Sequence, residues 1–180
     1  MTSFRQQSLS ESWIGFDKIQ LVLERREKNV TEQRILLPNR TAMRGENVML
    51  LRADRSPLVL NTRFQPDALL ELAGGTPYPF GAFDTLTLRT IEDGFGSMSW
   101  ARWTNNAGLT CVLAFRRVDK TMRTLAANAN VMDILLRNCI NGDEETALAP
   151  IGADAVRFAT TSTAPSAAPR MLSPLAAPRP

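Results

Sequence analysis

The residues able to do chemistry are few. The chain has two cysteines, Cys111 and Cys139, and no histidine. Without imidazole there is no Ser-His-Asp or Cys-His mechanism, and most zinc sites are excluded as well. Carboxylates remain, at Glu92-Asp93 and at Asp143-Glu144-Glu145. An acid/base pair for glycoside hydrolysis needs two carboxyls about 5–9.5 Å apart across a cleft. These carboxylates fall in expected turns with no cleft signal around them, so they read as solvated turn residues. Gly74-Gly75 lacks the following helix and the Lys-Ser/Thr pair of a phosphate loop. Gly94-Phe95-Gly96 is too short for a dinucleotide fingerprint. Trp13, Trp100 and Trp103 are candidates for a sugar-stacking platform, but a regular strand would put Trp100 and Trp103 on opposite faces. The reading is a non-enzymatic protein with no cofactor and no metal.

The two cysteines both fall in expected strands joined by a long connection. Two readings stay open from spacing alone. One is a cross-strand disulfide, which needs Cα atoms within about 4.4–6.8 Å and, by closing a loop of about 29 residues, stabilises the fold by roughly 3 kcal/mol less any strain. The other is a pair of buried thiols in a cytoplasmic protein.

The elements that would position these residues are mostly strands. Ile19, Leu21 and Leu23 alternate within 18–24, and 31–37 follows after a charged turn. A β-hairpin accounts for both better than one helix over 17–27. Strands are expected at 47–53, 84–91, 95–103, 109–118 and 131–140, with a short one at 58–60. The stretch from Gly94 to Cys139 reads as a meander, turning at Asn105-Asn106-Ala107-Gly108. Leu109, Cys111, Leu113 and Phe115 share one face. The clearest helix spans about 64–73. Pro66 suits its first turn, Leu69, Leu70 and Leu72 would face the sheet, and Gly74 stops it. A second short helix is expected over 143–149. The loop over 76–82, TPYPFGA, is a lid over the core or a contact surface. Its aromatic residues Tyr78 and Phe80, with the neighbouring Phe83 and with Arg40 and Arg44 of the loop 40–46, are the candidate contact residues.

The fold class is α+β, a mainly antiparallel sheet with one packed helix, in a single domain over 16–158. Residues 1–15 are polar and read as a flexible lead-in. Beyond Phe158 the chain holds five prolines and mostly small residues, a composition that cannot bury enough apolar surface to order itself. Residues 159–180 therefore read as a disordered tail, with Met171-Leu172 as its one possible anchor. No apolar run approaches the roughly 18 residues of a membrane span, and the first residues show no apolar signal core. The chain is accordingly cytoplasmic or a mature form. Its net charge of +3 comes with eighteen arginines against three lysines. They are scattered along strands, which suits solvated faces better than a nucleic-acid stripe.

The segment LERREKNVTEQRILLPNRTAMRGENVMLL resembles the opening of the bacterial cellulose biosynthesis protein BcsN family. That family has an R-R-x-x-N-x-x-x-Q pattern before a strand, then a loop ending G-x-N. The matching positions are Arg25, Arg26, Asn29, Gln33, Gly45 and Asn47. GFGSMSWARWTNNAGLTCVLAFRRV and VMDILLRNC are similar to the family's hairpin and closing strand, each with its cysteine. The resemblance covers roughly Leu23 to Ala149. It implies a Cys111–Cys139 disulfide and an accessory protein of exopolysaccharide production and biofilm formation, exported to the periplasm or outer membrane. Its partners would be envelope proteins of polysaccharide synthesis or secretion, with polysaccharide contact and peripheral membrane association both open. The alternatives are a component of a pilus or secretion complex, a cytoplasmic module for an anionic partner, and an unrecognised hydrolase.

Overall fold

In a computed structural model, residues 2–156 are described; the tail expected over 159–180 lies outside them. The described residues form one eight-stranded antiparallel sheet in the order β1-β2-β3-β4-β8-β7-β6-β5. The strands are β1 Arg5–Gln7, β2 Leu21–Glu27, β3 Val30–Leu37, β4 Asn47–Asp54, β5 Arg89–Asp93, β6 Gly96–Thr104, β7 Leu109–Asp119 and β8 Val131–Asn141. Two helices accompany them, α1 Pro66–Ala73 and α2 Glu144–Leu148. The strands form two meanders, β1 to β4 and β5 to β8, joined where β4 pairs with β8. The connection from β4 to β5 leaves the centre of the sheet and returns at its far edge, carrying α1 across one face on the way.

The two faces are covered differently. Under α1 lie Leu50, Leu113, Phe115 and Leu135, packed against Leu69 and Leu70 of the helix. The opposite face holds the larger core, with Val22, Ile35, Met49, Leu51, Val112, Ala114, Met132, Ile134 and Leu136. Trp13, Ile14, Ala147, Ile151 and Val156 close over it. Central strands covered on both faces read as continuous apolar runs, and β7 and β8 are buried along nearly their whole length.

Most expected elements are present, and the departures have identifiable causes. Residues 58–60 are not a strand but part of a 3₁₀ turn over Pro57–Asn61, where Pro57 removes a ladder donor. The strand expected over 84–91 begins only at Arg89; Phe83–Thr85 form another 3₁₀ turn. In α1, Leu69 and Leu70 are buried, but Leu72 stands off that stripe and is 51% exposed. The lead-in read as flexible pairs and packs. Arg5–Gln7 add an edge strand to β2. The Trp13 amide donates to Gln33 Oε1 at 3.0 Å, and Gln33 Nε2 donates to the Glu11 carbonyl at 2.9 Å. One buried glutamine on β3 thus holds the lead-in against the sheet, and the Trp13 side chain fills the core.

A row of five charges crosses the face under α1. In register, Arg25 of β2 lies opposite Glu32 of β3, Glu32 opposite Arg52 of β4, Arg52 opposite Asp133 of β8, and Asp133 opposite Arg117 of β7. The signs alternate across five strands. Arg25 donates to Glu32 through Nε at 3.0 Å and also through Nη2. Arg52 Nε stands 3.5 Å from Glu32 Oε1 as an ion pair without hydrogen-bond alignment. Arg117 grips Asp133 with two bonds, at 2.6 and 2.8 Å. Aromatic rings close both ends, Phe4 at 4.7 Å from the Arg25 guanidinium and Phe64 at 5.3 Å from that of Arg117. Glu32 is the best buried member, with two arginines depending on it. Glu32→Gln is expected to lower the free energy of unfolding by about 2 kcal/mol, less than for a fully buried pair because both arginines keep some solvent. Urea unfolding measures it; a loss below about 0.5 kcal/mol would mean the row is ornamental.

Candidate interaction surface at the disulfide end of the sheet

Cys111 and Cys139 face one another directly across β7 and β8, and they are bonded. The two Cα atoms are 4.0 Å apart. Leu109 is buried with them, and Met43, Phe80 and Trp103 pack around the group. The bridge therefore sits at the end of the sheet where the loops 38–46 and 76–82 meet.

Arg137 joins those two loops. It lies on β8, two residues before Cys139, and is 1% exposed. Its Nη2 donates to the Arg44 carbonyl at 2.8 Å and to the Tyr78 carbonyl at 3.0 Å, and its Nε also reaches the Tyr78 carbonyl. Its Nη1 donates to Asn47 Oδ1 at 3.0 Å. Asn47 is shared further: Oδ1 accepts from the Cys139 amide, and Nδ2 donates to the Cys139 and Pro38 carbonyls. These acceptors are all neutral. Burial pushes the Arg137 pKa down, yet a guanidinium stays protonated. The site is a buried cation solvated by carbonyls that the two loops must present. Gly45 approaches it with φ +96°, and a Cβ there would stand 3.3 Å from Arg137 Nη2. Both geometry and space therefore call for glycine.

The candidate contact residues divide accordingly. Tyr78 is 47% exposed, and the Arg44 guanidinium stacks 4.3 Å from its ring centre. Arg40 is exposed on the same loop as Arg44. Phe80 and Phe83 turn inward instead. Phe80 packs against the disulfide group and against the α1 side, and Phe83 meets Phe115 edge-on at 5.8 Å. The aromatic loop is a lid with one exposed ring. Arg137 carried no functional suspicion in the sequence, though a lone arginine in the apolar strand VMDILLRNCI was the available signal.

Most of the other residues weighed for chemistry have structural partners, while Glu92 and Glu145 are exposed. Trp13 is in the core, while Trp100 and Trp103 lie on opposite faces, so the three rings form no common platform. Asp93 pairs with the fully buried Arg116, whose Nη1 also donates to the Ile151 carbonyl. Asp143 caps α2 by accepting from the Thr146 amide at 2.8 Å. Glu144 accepts from Trp100 Nε1 at 2.6 Å, from Arg102 Nη1 at 3.0 Å and from Arg89 Nη1 at 3.1 Å. It therefore clips α2 to the β5–β6 hairpin. Beside it is an open groove of about 800 Å³, lined by Phe16, Ile91, Met98, Trp100 and Leu148. Among the described residues, no group of three or more His, Cys, Asp or Glu is placed to hold a metal ion.

No family model matches the chain, and no curated protein or solved structure matches it significantly.

Two outcomes are expected from these geometries. Arg137→Met keeps much of the volume but strands the loop carbonyls and Asn47. It should cost about 2–3 kcal/mol and speed proteolysis within 38–46 and 76–82. Equal stability with unchanged cleavage would show that the loops hold themselves. At Glu144, burial acts to raise the carboxyl pKa, but the bonds from Arg102 and Trp100 and the charges of Arg89 and Arg102 outweigh it and lower the pKa. A carboxyl lowered on folding stabilises above its unfolded pKa, and the stabilisation is lost as pH falls through the folded value. Glu144→Gln should therefore be less stable than the parent by about 1–2 kcal/mol at neutral pH. The two should converge in acid, below about pH 4. Parallel unfolding profiles across that range would remove Glu144 from the linkage.

Proposed function

We propose that this protein is a non-catalytic accessory component of a bacterial envelope, serving exopolysaccharide production such as that of cellulose through protein–protein contacts. The observation that carries this reading is the disulfide end of the sheet. A buried cation and a cross-strand disulfide hold two loops in fixed relation there, and the exposed Arg44–Tyr78 pair sits on top. Tyrosine and arginine are enriched where proteins bind one another, and a rigid platform lowers the ordering entropy of binding. A disulfide suits an oxidising compartment, in keeping with a site in the periplasm or at the outer membrane. Among the described residues, no helix is long and apolar enough to cross a membrane.

The polysaccharide assignment leans on the sequence resemblance. Several of its pattern residues hold the fold together: Arg25 in the charge row, Gln33 on the lead-in, and Gly45 and Asn47 around Arg137. Their spacing is what such a scaffold needs, and the surface above them is where a partner would be chosen.

The test is genetic and structural together. Deleting the gene should reduce extracellular polysaccharide, and the parent protein should restore it. The double variant Arg44→Glu/Tyr78→Ala should fold normally yet fail to restore it. A photocrosslinker placed at Tyr78 should label a component of the polysaccharide synthesis or secretion machinery. Deletion with no effect on polysaccharide would sink the assignment. A double variant with full activity would instead move the contact surface elsewhere.

A further inference from the structure

The end of the sheet opposite the disulfide gathers cations and projecting apolar side chains. The backbone ties its turns into a row. The Arg55 amide donates to the Asn29 carbonyl at 2.8 Å, and Arg55 Nη2 reaches the Lys28 carbonyl at 2.6 Å. Asn130 Nδ2 donates to the carbonyls of Arg55 and Ser56, and the Lys120 amide donates to the Asn130 carbonyl. Lys28, Arg55 and Lys120 therefore lie along one rim, and all three are exposed. The 3₁₀ turn Pro57–Asn61 rises from the same rim, flanked by Arg55 and the exposed Arg63. At its tip Leu58 is 76% exposed, with Leu60 at 39%. Further along, Met122 is 48% exposed between Lys120 and Arg123.

The acids beside these turns make local contacts and keep their charge. Asp54 accepts from the Ser56 amide and Asp119 from the Thr121 amide and hydroxyl. Glu27 stands 4.0 Å from Arg25 Nε. The turns 27–30, 54–63 and 119–130 together carry five basic residues against three acids, so the rim is net positive, and Leu58 is an apolar side chain left in water.

We propose that this rim is a membrane-surface site that docks peripherally on anionic phospholipid, with Leu58 and Leu60 entering the headgroup boundary. Lys28, Arg55, Arg63 and Lys120 would lie against lipid phosphates. Charge complementarity selects an anionic surface, and the apolar tip beyond the cations selects a bilayer over a soluble polyanion, which has no apolar phase to receive it. The inference is independent of the polysaccharide assignment. It would leave the disulfide end, at the far side of the sheet, facing away from the lipid and open to a partner.

The full chain is tested by flotation with vesicles of phosphatidylcholine alone and of phosphatidylcholine with phosphatidylglycerol. Binding is expected to the anionic vesicles, falling as salt is raised, and to be at least about tenfold weaker on the neutral ones. Leu58→Ser/Leu60→Ser and Arg63→Glu/Lys120→Glu should each weaken it by about tenfold or more. All four side chains are exposed, so thermal unfolding should be unchanged and a loss of binding would not reflect misfolding. No flotation with anionic vesicles at low salt overturns the proposal. So does binding that survives both variants. If the charge variant abolishes binding, the leucine variant does not, and dextran sulfate competes, the rim is a polyanion site and the membrane reading is wrong.

Discussion

Alternating charges across β2, β3, β4, β8 and β7 tie the register of these five strands together. A slip of one residue would turn Arg25, Glu32, Arg52, Asp133 or Arg117 into the larger core on the opposite face. A slip of two between β3 and β4 would set Glu32 against Leu50 or Asp54, leaving an unpaired or repelled carboxylate. Apolar side chains are poor at excluding the second error, because one leucine substitutes for another at small loss. Charges of alternating sign exclude it. At the β4–β8 pairing, the sole seam between the two meanders among the described residues, the row sets Arg52 opposite Asp133.

From that seam the rest follows. With β4 and β8 in register, Asn47 reaches Arg137 and the Cys139 backbone, and Cys139 meets Cys111 on β7. The loop before β4 and the aromatic loop after α1 are then drawn to a guanidinium that, among the described residues, has no carboxylate to neutralise it. A buried cation of this kind is weak evidence of stability in itself. Its effect is directional, since it can be satisfied only when both loops present carbonyls at once. The disulfide restricts the unfolded chain and staples β8 to β7. Covalent and electrostatic constraints thus converge at one end of the sheet, the end whose surface carries the exposed Arg44–Tyr78 pair.

The opposite face works by conventional burial. Gln33 and Glu144 act there as fasteners, the first fixing the lead-in and the second fixing α2 to the β5–β6 hairpin. Each satisfies donors that would otherwise be lost to water when the covering segments close, which is why single polar residues can position whole segments.

Local pattern was enough to specify much of this molecule. The β2–β3 hairpin, the Asn105–Gly108 turn, α1 with its Pro66 start and Gly74 stop, the short helix α2 and the shared face of Leu109, Cys111, Leu113 and Phe115 are all written in short windows of sequence, because each depends on neighbours a few residues apart. The lead-in was misread because Trp13 is held by a glutamine twenty positions away. The segment 84–88 alternates like a strand yet, among the described residues, has no partner strand beside it until Arg89. The charge row, the loops gathered on Arg137 and the cationic rim with Leu58 join residues far apart in the chain. Composition and periodicity determined that a disulfide-capable antiparallel domain would form. Which arginines are buried, paired or presented was decided only by tertiary packing, since strand order and register alone bring those charges within reach of one another.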